Sequence, residues 1–200
     1  MDFRFRKYPL TTISGAAVVF LYCVFTILSW AFYPEPYGPS THYLSRLGNF
    51  DYSPFGAYFY NIGCIFTGLA LIPFFISLKD WWIKSPVQKI IMVIGQLLGI
   101  ASGIALMAIG VFSENLGQPH LDASSAFFRI IFFVLILIII ALFFNPVFNK
   151  IVGIYGFGVT FSSLGFALTV GGTLTEWYTV FGSLLFVALL ALNSMKLKSH

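Results

Sequence analysis

The sequence predicts an all-α polytopic membrane protein, a bundle of six transmembrane helices with both termini in the cytoplasm. Hydrophobic residues make up 58% of the 200-residue chain and charged residues only 9%, whereas soluble domains carry about 25% charged residues. Six apolar stretches are long enough to cross a bilayer, for which a helix needs about 20 residues. The basic residues also collect on one side of these stretches. The predicted spans are 11–33, 55–78, 90–112, 126–148, 151–172 and 177–195.

The composition also excludes two other classes of protein. With 24 Phe, 10 Tyr and 4 Trp, the chain is far too apolar to be disordered. In lipid every backbone polar group must be paired within the protein, so apolar stretches of this length should be helices. The sequence lacks the alternating segments of about ten residues that form membrane β-barrels. We therefore expect one transmembrane domain that covers residues 1–200.

The first span follows Arg4, Arg6 and Lys7, a basic start that is also typical of a signal peptide. Its apolar stretch is longer than the core of a typical signal peptide. No cleavage pattern of small residues precedes Tyr33. We therefore expect the first span to be retained as a membrane helix.

The second span ends shortly before Trp81 and Trp82, which we expect to anchor that helix at the membrane interface. The third span carries Gly95, Gly99 and Gly103 at four-residue intervals. This spacing places the glycines on one face of a helix, where a neighbouring helix can approach closely. The third span is therefore predicted to pack tightly.

The fourth span contains a nearly unbroken run of Ile, Leu and Phe over 130–144, so we expect it to be the helix most exposed to lipid. Asn145 and Pro146 break its last turn. The fifth span carries four glycines, which favour tight packing or, alternatively, a slot for a lipid chain or small ligand. They are Gly153, Gly156, Gly158 and Gly165. The sixth span is a continuous apolar stretch that ends before lysines.

Lysine and arginine collect on the side of the membrane that the two termini share, which the positive-inside rule assigns to the cytoplasm. Of the eleven basic residues, only Arg46 and Arg129 lie on the other, outer side, where five of the seven acids also lie. We therefore expect a protein of the plasma membrane with cytoplasmic N- and C-termini. The inner basic residues are Arg4, Arg6, Lys7, Lys79, Lys84, Lys89, Lys150, Lys196 and Lys198.

Several functions are disfavoured by the placement of polar residues. The pI near 9.1 would suit a nucleic-acid-binding protein, but the basic residues form no soluble patch, so no nucleic-acid partner is expected. Cys23 and Cys64 lie within apolar runs, which argues against a disulfide framework or zinc site. Asn61 and Gln96 lie deeper and are expected to hydrogen-bond between helices. No ionisable residue lies at mid-span, so a small transporter is the least favoured class.

The polar residues of the outer side converge on one end of the predicted bundle. They come from the loop before span two, from the loop before span four, and from the short connection before span six. We consider three interpretations, and the sequence leaves all three open. The candidates are His42, Ser45, Arg46, Asp51, Asn61, Glu114, His120, Asp122, Ser124, Arg129 and Glu176.

The first interpretation is a network of helix caps and ion pairs. Asp51 or Ser53 would cap span two, and Asp122 or Ser124 would cap span four. In this interpretation Arg129 would pair with an outer acid. The acids in question are Glu114 and Glu176.

The second interpretation is a lipid-headgroup site, in which Arg46 and Arg129 hold a phosphate because guanidinium groups bind it in a bidentate manner. The partners would then be membrane lipids. The other ligand-binding candidates are Ser45, Asp51, Asn61, Glu114, Asp122 and Glu176.

The third interpretation is catalysis or metal binding. His42 or His120 would act as a general base near neutral pH, and Ser124 or Ser45 as nucleophile or binding group. No cofactor is required by the sequence, although an outer divalent metal is an alternative because His, Asp and Glu are common ligands. The candidate ligand set is His42, Glu114, His120 and Asp122.

Two short runs in the outer loops resemble a known group of proteins. These are LSRLGN at 44–49, followed by Pro54 and Asn61, and GVFSE at 110–114, followed by His120 and Ser124. They resemble the Frag/DRAM/Sfk superfamily of six-span membrane proteins and its prokaryotic relatives of unknown function. The resemblance implies a six-helix fold and a role in lipid handling. The positions that match its motifs are Ser45, Gly48, Asn61, Glu114, His120 and Ser124.

Overall fold

The computed structural model describes residues 8–198, so the expectations for Arg4, Arg6 and Lys7 lie outside the described residues. Residues 8–198 form helices and turns and contain no strand. Six helices are long and apolar enough to cross a membrane. This confirms the predicted fold class and the assignment to integral membrane proteins. The helices are α1 Leu10–Ala31, α2 Gly56–Ser77, α3 Pro86–Val111, α4 Gln118–Phe143, α5 Lys150–Thr169 and α6 Gly172–Ser194.

The connections divide the bundle into two unlike ends. One end carries residues 32–55, 112–117 and 170–171, and we refer to it as the long-loop end. Short 3-10 helices, Leu44–Gly48 and Glu114–Leu116, order the first two of these connections. The opposite end carries the connections α2–α3 and α4–α5.

Two helix starts differ from the prediction. α4 starts at Gln118 rather than near 126, directly after Gly117 with a positive φ of 68°. α6 starts at Gly172 rather than near 177, after Gly171 with a φ of 60°. In both places polar residues continue the helix beyond its apolar stretch, and hydrophobicity alone cannot detect such an extension.

The predicted side-chain caps were wrong. α2 starts after Phe55 with no side-chain cap, and the Ser53 hydroxyl donates instead to the carbonyl of Phe32 at 3.4 Å. The other two predicted caps, Asp122 and Ser124, lie inside α4 because that helix starts earlier than expected.

The six helices form a ring in which each packs against the next and α6 closes onto α1. α5 is the least buried, with 28% of its apolar window buried against 33% for α4. The prediction that the fourth span is the most exposed was therefore wrong. α4 buries Val134, Ile138 and Leu142 inside the protein, which an unbroken apolar sequence does not reveal.

Glycines allow α2 and α3 to approach closely. A Cβ added to Gly68 would lie 2.5 Å from the carbonyl oxygen of Gly103, and one added to Gly103 would lie 2.8 Å from the carbonyl oxygen of Gly68. The predicted tight packing of the third span is present here. In α5 the same prediction holds at Gly153 and Gly156, where an added Cβ would lie 2.5 Å from the Phe143 ring and 2.7 Å from Ile139. It fails at Gly158 and Gly165, where an added Cβ would meet nothing within 4 Å.

Trp81 was expected to be an interface anchor but lies in the core. Its side chain is fully buried, and its Nε1 donates to the hydroxyl of Ser194 at 3.1 Å. Trp82 is partly exposed and donates to Gln96 Oε1 at 3.2 Å. The amide of Gln96 in turn donates to the carbonyl of Phe75 at 2.8 Å, which is the expected interhelical hydrogen bond.

The orientation in the membrane stays a prediction, because the fold is compatible with either direction. We expect a reporter fused after His200 to lie in the cytoplasm, since the lysines flank the connections opposite the long-loop end. A cysteine placed at exposed Glu35 should in contrast react with an impermeant thiol reagent added to intact cells. Labelling of the fused C-terminus from outside would contradict this orientation.

Candidate functional site

The first connection is fixed to the start of α6 at the long-loop end. The carboxylate of Glu176 accepts hydrogen bonds from the backbone N–H groups of Leu44 at 2.8 Å and Ser45 at 3.2 Å. Trp177 Nε1 donates to the carbonyl of His42 at 3.0 Å. Glu176 therefore occupies the unpaired N-terminus of a 3-10 helix, where a negative charge is favourable.

The other side of this connection is held by α1 and α2. The Asn61 amide donates to the carbonyl of Gly48 at 2.9 Å, and the Ser29 hydroxyl donates to the carbonyl of Leu47 at 3.1 Å. Asn61 is buried, so its predicted role as a ligand-binding residue is replaced by a bond within the protein. The segment 44–48 is thus a rigid cover over the bundle.

Aromatic packing completes the cover. The Tyr37 hydroxyl donates to the carbonyl of Tyr43 at 2.5 Å, and burial, together with the charge of Glu176, raises the pKa of the Tyr37 phenol. Tyr37 therefore remains a hydrogen-bond donor at physiological pH. His42 stacks on Tyr37 with ring centroids 5.0 Å apart, and its Nδ1 hydrogen-bonds the Thr41 hydroxyl at 2.8 Å.

Arg46 joins the first connection to the second. Its Nε lies 3.4 Å from Glu114 Oε1, and its guanidinium carbon lies 4.4 Å from the ring centroid of Tyr52. Asn49 donates to the other carboxylate oxygen of Glu114. Arg46 and Glu114 therefore form an ion pair, although the buried Nε of Arg46 makes no hydrogen bond, whereas the sequence had suggested Glu114 as a partner of Arg129.

His120 lies in the first turn of α4 and is buried. Its Nδ1 is 2.7 Å from the carbonyl oxygen of Phe112. A carbonyl only accepts hydrogen bonds, so Nδ1 carries a proton, and Nε2 is the nitrogen that has a lone pair whenever the ring is neutral. Ser124 follows one turn later on the same face of the helix.

A large cleft of about 820 Å³ opens beside these residues, between α4 on one side and α5 and α6 on the other. It extends from the cover over the bundle to the middle of α5. The structure brings seven of the sequence candidates to its lining. These are Ser45, Arg46, Glu114, His120, Ser124, Arg129 and Glu176.

Arg129 is the charged residue of this cleft that has no partner among the described residues. It lies one turn inside the apolar run of α4 that starts at Ala126, and its side chain is exposed to the cleft. No described acid lies within ion-pair distance of it, and no described group hydrogen-bonds it. The predicted pairing of Arg129 with Glu114 or Glu176 was therefore wrong.

Hydroxyl groups on α5 and α6 also line the cleft, and sequence reasoning did not assign them to the site. Ser163 and Ser183 have buried hydroxyl oxygens without a hydrogen-bond partner. On α6, Thr175, Thr179 and Ser183 recur every four residues, which places them on one helix face. This spacing was the available sequence signal.

Four sequence candidates lie outside the cleft, and one of them is Asn61, which bonds to Gly48 as described above. His42 belongs to the aromatic cover, Asp51 is exposed, and exposed Asp122 accepts a hydrogen bond from Gln118 at 2.8 Å. Among residues 8–198, no three His, Cys, Asp or Glu side chains come together as a metal-binding group. The ligand set suggested by the sequence is therefore not assembled, because its members belong to separate loops and faces.

We expect removal of the Glu176 carboxylate to release the cover over the bundle. In Glu176→Ala the backbone N–H groups of Leu44 and Ser45 lose a charged acceptor, and such a hydrogen bond contributes about 1.5–3 kcal/mol. Hydrogen–deuterium exchange of residues 44–48 should then become at least about tenfold faster. The matched control is Glu35→Ala, which removes an exposed acid. Equal exchange in both variants would show that Glu176 does not hold the cover.

The comparisons with known proteins give one match. A family model described as "Protein of unknown function (DUF998)" matches residues 16–193. The search of curated proteins and the search of solved structures both returned no match. The matched region contains all six membrane-spanning helices except the start of α1 and the last residue of α6, together with every residue of the cleft. The chain therefore belongs to the DUF998 family.

Proposed function

We propose that the cleft binds the phosphate headgroup of a membrane lipid and that the protein acts in lipid handling or sensing. The observation that carries this proposal is Arg129, a cation with no described partner inside an apolar helix. Charged side chains in membrane helices are costly, and they normally pair with an opposite charge or face a polar cavity. Arg129 faces a cleft that is large enough for a headgroup.

The other charged residues of the cleft already have partners within the protein. Glu176 accepts two backbone hydrogen bonds, and Glu114 binds Arg46 and Asn49. Arg129 is consequently the charged residue of the cleft that has no described partner. A guanidinium binds two phosphate oxygens at once, which suits an anionic headgroup.

Hydroxyl groups provide further donors in the same cleft. Ser163 and Ser183 have unpaired buried hydroxyls, and Thr179 lies one turn before Ser183 on α6. A buried polar group without a partner is costly, and a phosphate or ester oxygen would satisfy these donors. The cleft therefore combines a cation with neutral donors, as a phosphodiester requires.

The resemblance to the Frag/DRAM/Sfk superfamily also supports a role in lipid handling. The eukaryotic relatives in that group are associated with lipid handling, and four of the six positions that match its motifs line the cleft. We propose the relationship to this superfamily only from the two short sequence runs at 44–49 and 110–114. The four positions are Ser45, Glu114, His120 and Ser124.

Native mass spectrometry of the purified protein tests this proposal. We expect a phosphate-bearing lipid to remain bound after extraction in mild detergent, and added dioleoyl phosphatidylglycerol to replace it. Dioleoylglycerol, which has the same chains without phosphate, should not replace it, and inorganic phosphate should compete only weakly. Equal binding of both lipids would contradict a phosphate site.

A lipid hydrolase or transferase is the second candidate, and one observation favours it. The Phe112 carbonyl holds His120 so that Nε2 is free to accept a proton, and His120 and Ser124 both line the cleft. Incubation with phosphatidylglycerol would then release a cleavage product that His120→Gln does not form. Binding without any product would favour the binding function alone.

A further inference from the structure

A second cavity runs through the interior of the helix ring. It begins beneath the cover at Ser45, Ser124 and Glu176, and it reaches Leu78 and Leu190 near the opposite end of the bundle. We refer to this cavity as the central slot. Along α6 the distance from Glu176 to Leu190 is about 20 Å, at 1.5 Å for each helical residue.

The central slot is narrow and its walls are mostly hydrocarbon. The space that it leaves for the centre of a water-sized sphere is about 80 Å³, which over this length is a thin passage rather than a chamber. Val18, Phe74 and Ile138 are each 2% exposed and form part of its walls. A water molecule requires two to four polar partners, and hydrocarbon walls offer few of them along most of the slot.

The slot and the cleft meet at their polar ends. Ser45, Ser124, Glu176 and Thr179 line both cavities, and so does Ser183, whose hydroxyl has no partner. A ligand in the cleft would therefore stand at the opening of the slot. Its polar part would face Arg129, and an attached apolar part would point toward the interior.

The length of the slot fits one leaflet of a bilayer. The hydrocarbon core is about 30 Å thick, so the acyl chains of one leaflet extend about 15 Å. A chain that enters beneath the cover and runs about 20 Å would remain within the ring for its whole length. An aliphatic chain also matches the apolar walls, because burying its methylene groups is favourable.

We propose that the central slot holds one acyl chain of the phospholipid whose headgroup binds in the cleft, an inference that rests on the proposed function. The second acyl chain would lie in the open part of the cleft, beside the exposed half of α5. The ligand class is then a diacyl phospholipid that is drawn partly out of the bilayer. A short column of water is the competing occupant, since the buried Thr67 hydroxyl in the slot is also unpaired.

Photo-crosslinking locates the acyl chain of the lipid without any mutation of the protein. The probe is phosphatidylglycerol with a diazirine at the end of one acyl chain, added to the full-length protein in dodecyl maltoside. We expect light to attach it to slot residues such as Ile138 and Leu190. Attachment confined to outward-facing residues such as Ile151 and Leu168 would overturn the proposal, and so would a slot that stays unlabelled, as a water column predicts.

Variants that fill the slot provide a second test. Val187→Trp should abolish interior labelling, and so should Val134→Phe from the opposite wall, because both side chains line the slot. Val170→Trp is the matched control, since Val170 is 65% exposed and lies outside both cavities. Circular dichroism and size-exclusion chromatography identify any variant that fails to fold. If both variants fail to fold, the crosslinking sites in the wild-type protein decide between the acyl chain and its alternatives.

Arg129→Gln separates this inference from the proposed function. One outcome is that Arg129→Gln lowers total labelling while the labels of the wild-type protein lie only on outward-facing residues. That outcome supports the headgroup site and refutes the acyl chain in the slot. If the substitution leaves total labelling unchanged, the proposed function itself fails. Interior labelling that depends on Arg129 supports both.

Discussion

Replacing Arg129 by Gln should weaken binding of phosphatidylglycerol by about 10- to 100-fold. A hydrogen bond between charged groups contributes about 1.5–3 kcal/mol, and each 1.4 kcal/mol corresponds to tenfold in affinity. Arg129 has no acid within ion-pair distance among the described residues, so its loss disrupts no ion pair inside the protein. The effect should therefore appear in lipid binding and not in stability, measured by titration in native mass spectrometry.

Two further variants identify the cause of this loss. Arg129→Lys keeps the charge but removes the bidentate geometry, so we expect an intermediate affinity. Lys84→Gln removes the same charge from an exposed position at the opposite end of the bundle and should bind lipid like the wild type. If Lys84→Gln weakened binding as much as Arg129→Gln, net charge rather than the cleft would be responsible.

Replacing Gly68 by Val should lower the free energy of unfolding by about 1–3 kcal/mol, the usual cost of overpacking. The first added carbon would lie 2.5 Å from the carbonyl oxygen of Gly103 and 3.1 Å from the backbone nitrogen of Met107. Backbone atoms cannot rotate away as side chains do, so α2 and α3 would have to separate. Unfolding by sodium dodecyl sulfate in mixed micelles, followed by circular dichroism, measures this change.

Gly158→Val is the matched control for Gly68→Val. It also places valine in a membrane helix, but an added Cβ at Gly158 meets nothing within 4 Å. We expect its unfolding free energy to stay close to that of the wild type. Equal destabilisation of the two variants would mean that the cost comes from helix propensity and not from the contact between α2 and α3.

The helices were predictable because lipid imposes length and hydrophobicity on every span. Their ends were less predictable, since residues 118–125 are mostly polar yet continue α4 beyond its apolar run. Which side chains are buried was also not predictable from the sequence. Trp81 and Phe148 pack edge to face inside the protein, although both residue types are typical of a lipid-facing sequence. Hydropathy gives the number of spans but not which face each helix turns inward.

The sequence predicted which end of the bundle carries the candidate site, but it did not predict the role of each residue there. Charge placement alone indicated that Arg46 and Arg129 share one end of the bundle. Only the side-chain geometry distinguishes Arg46, which Glu114 and Tyr52 already hold, from Arg129, which no described acid pairs. The hydroxyls of α5 and α6 were missed because serine and threonine inside a span usually bond to their own helix.

The central claim is that Arg129 binds the phosphate of a lipid in the cleft between α4, α5 and α6. A structure determined by electron cryo-microscopy in phosphatidylglycerol nanodiscs, with a bound antibody fragment to aid alignment, tests it directly. We expect density for a phosphate within hydrogen-bonding distance of the Arg129 guanidinium, at about 2.7–2.9 Å. A cleft that holds only water beside Arg129, or an Arg129 side chain turned toward an acid of the protein, would contradict the claim.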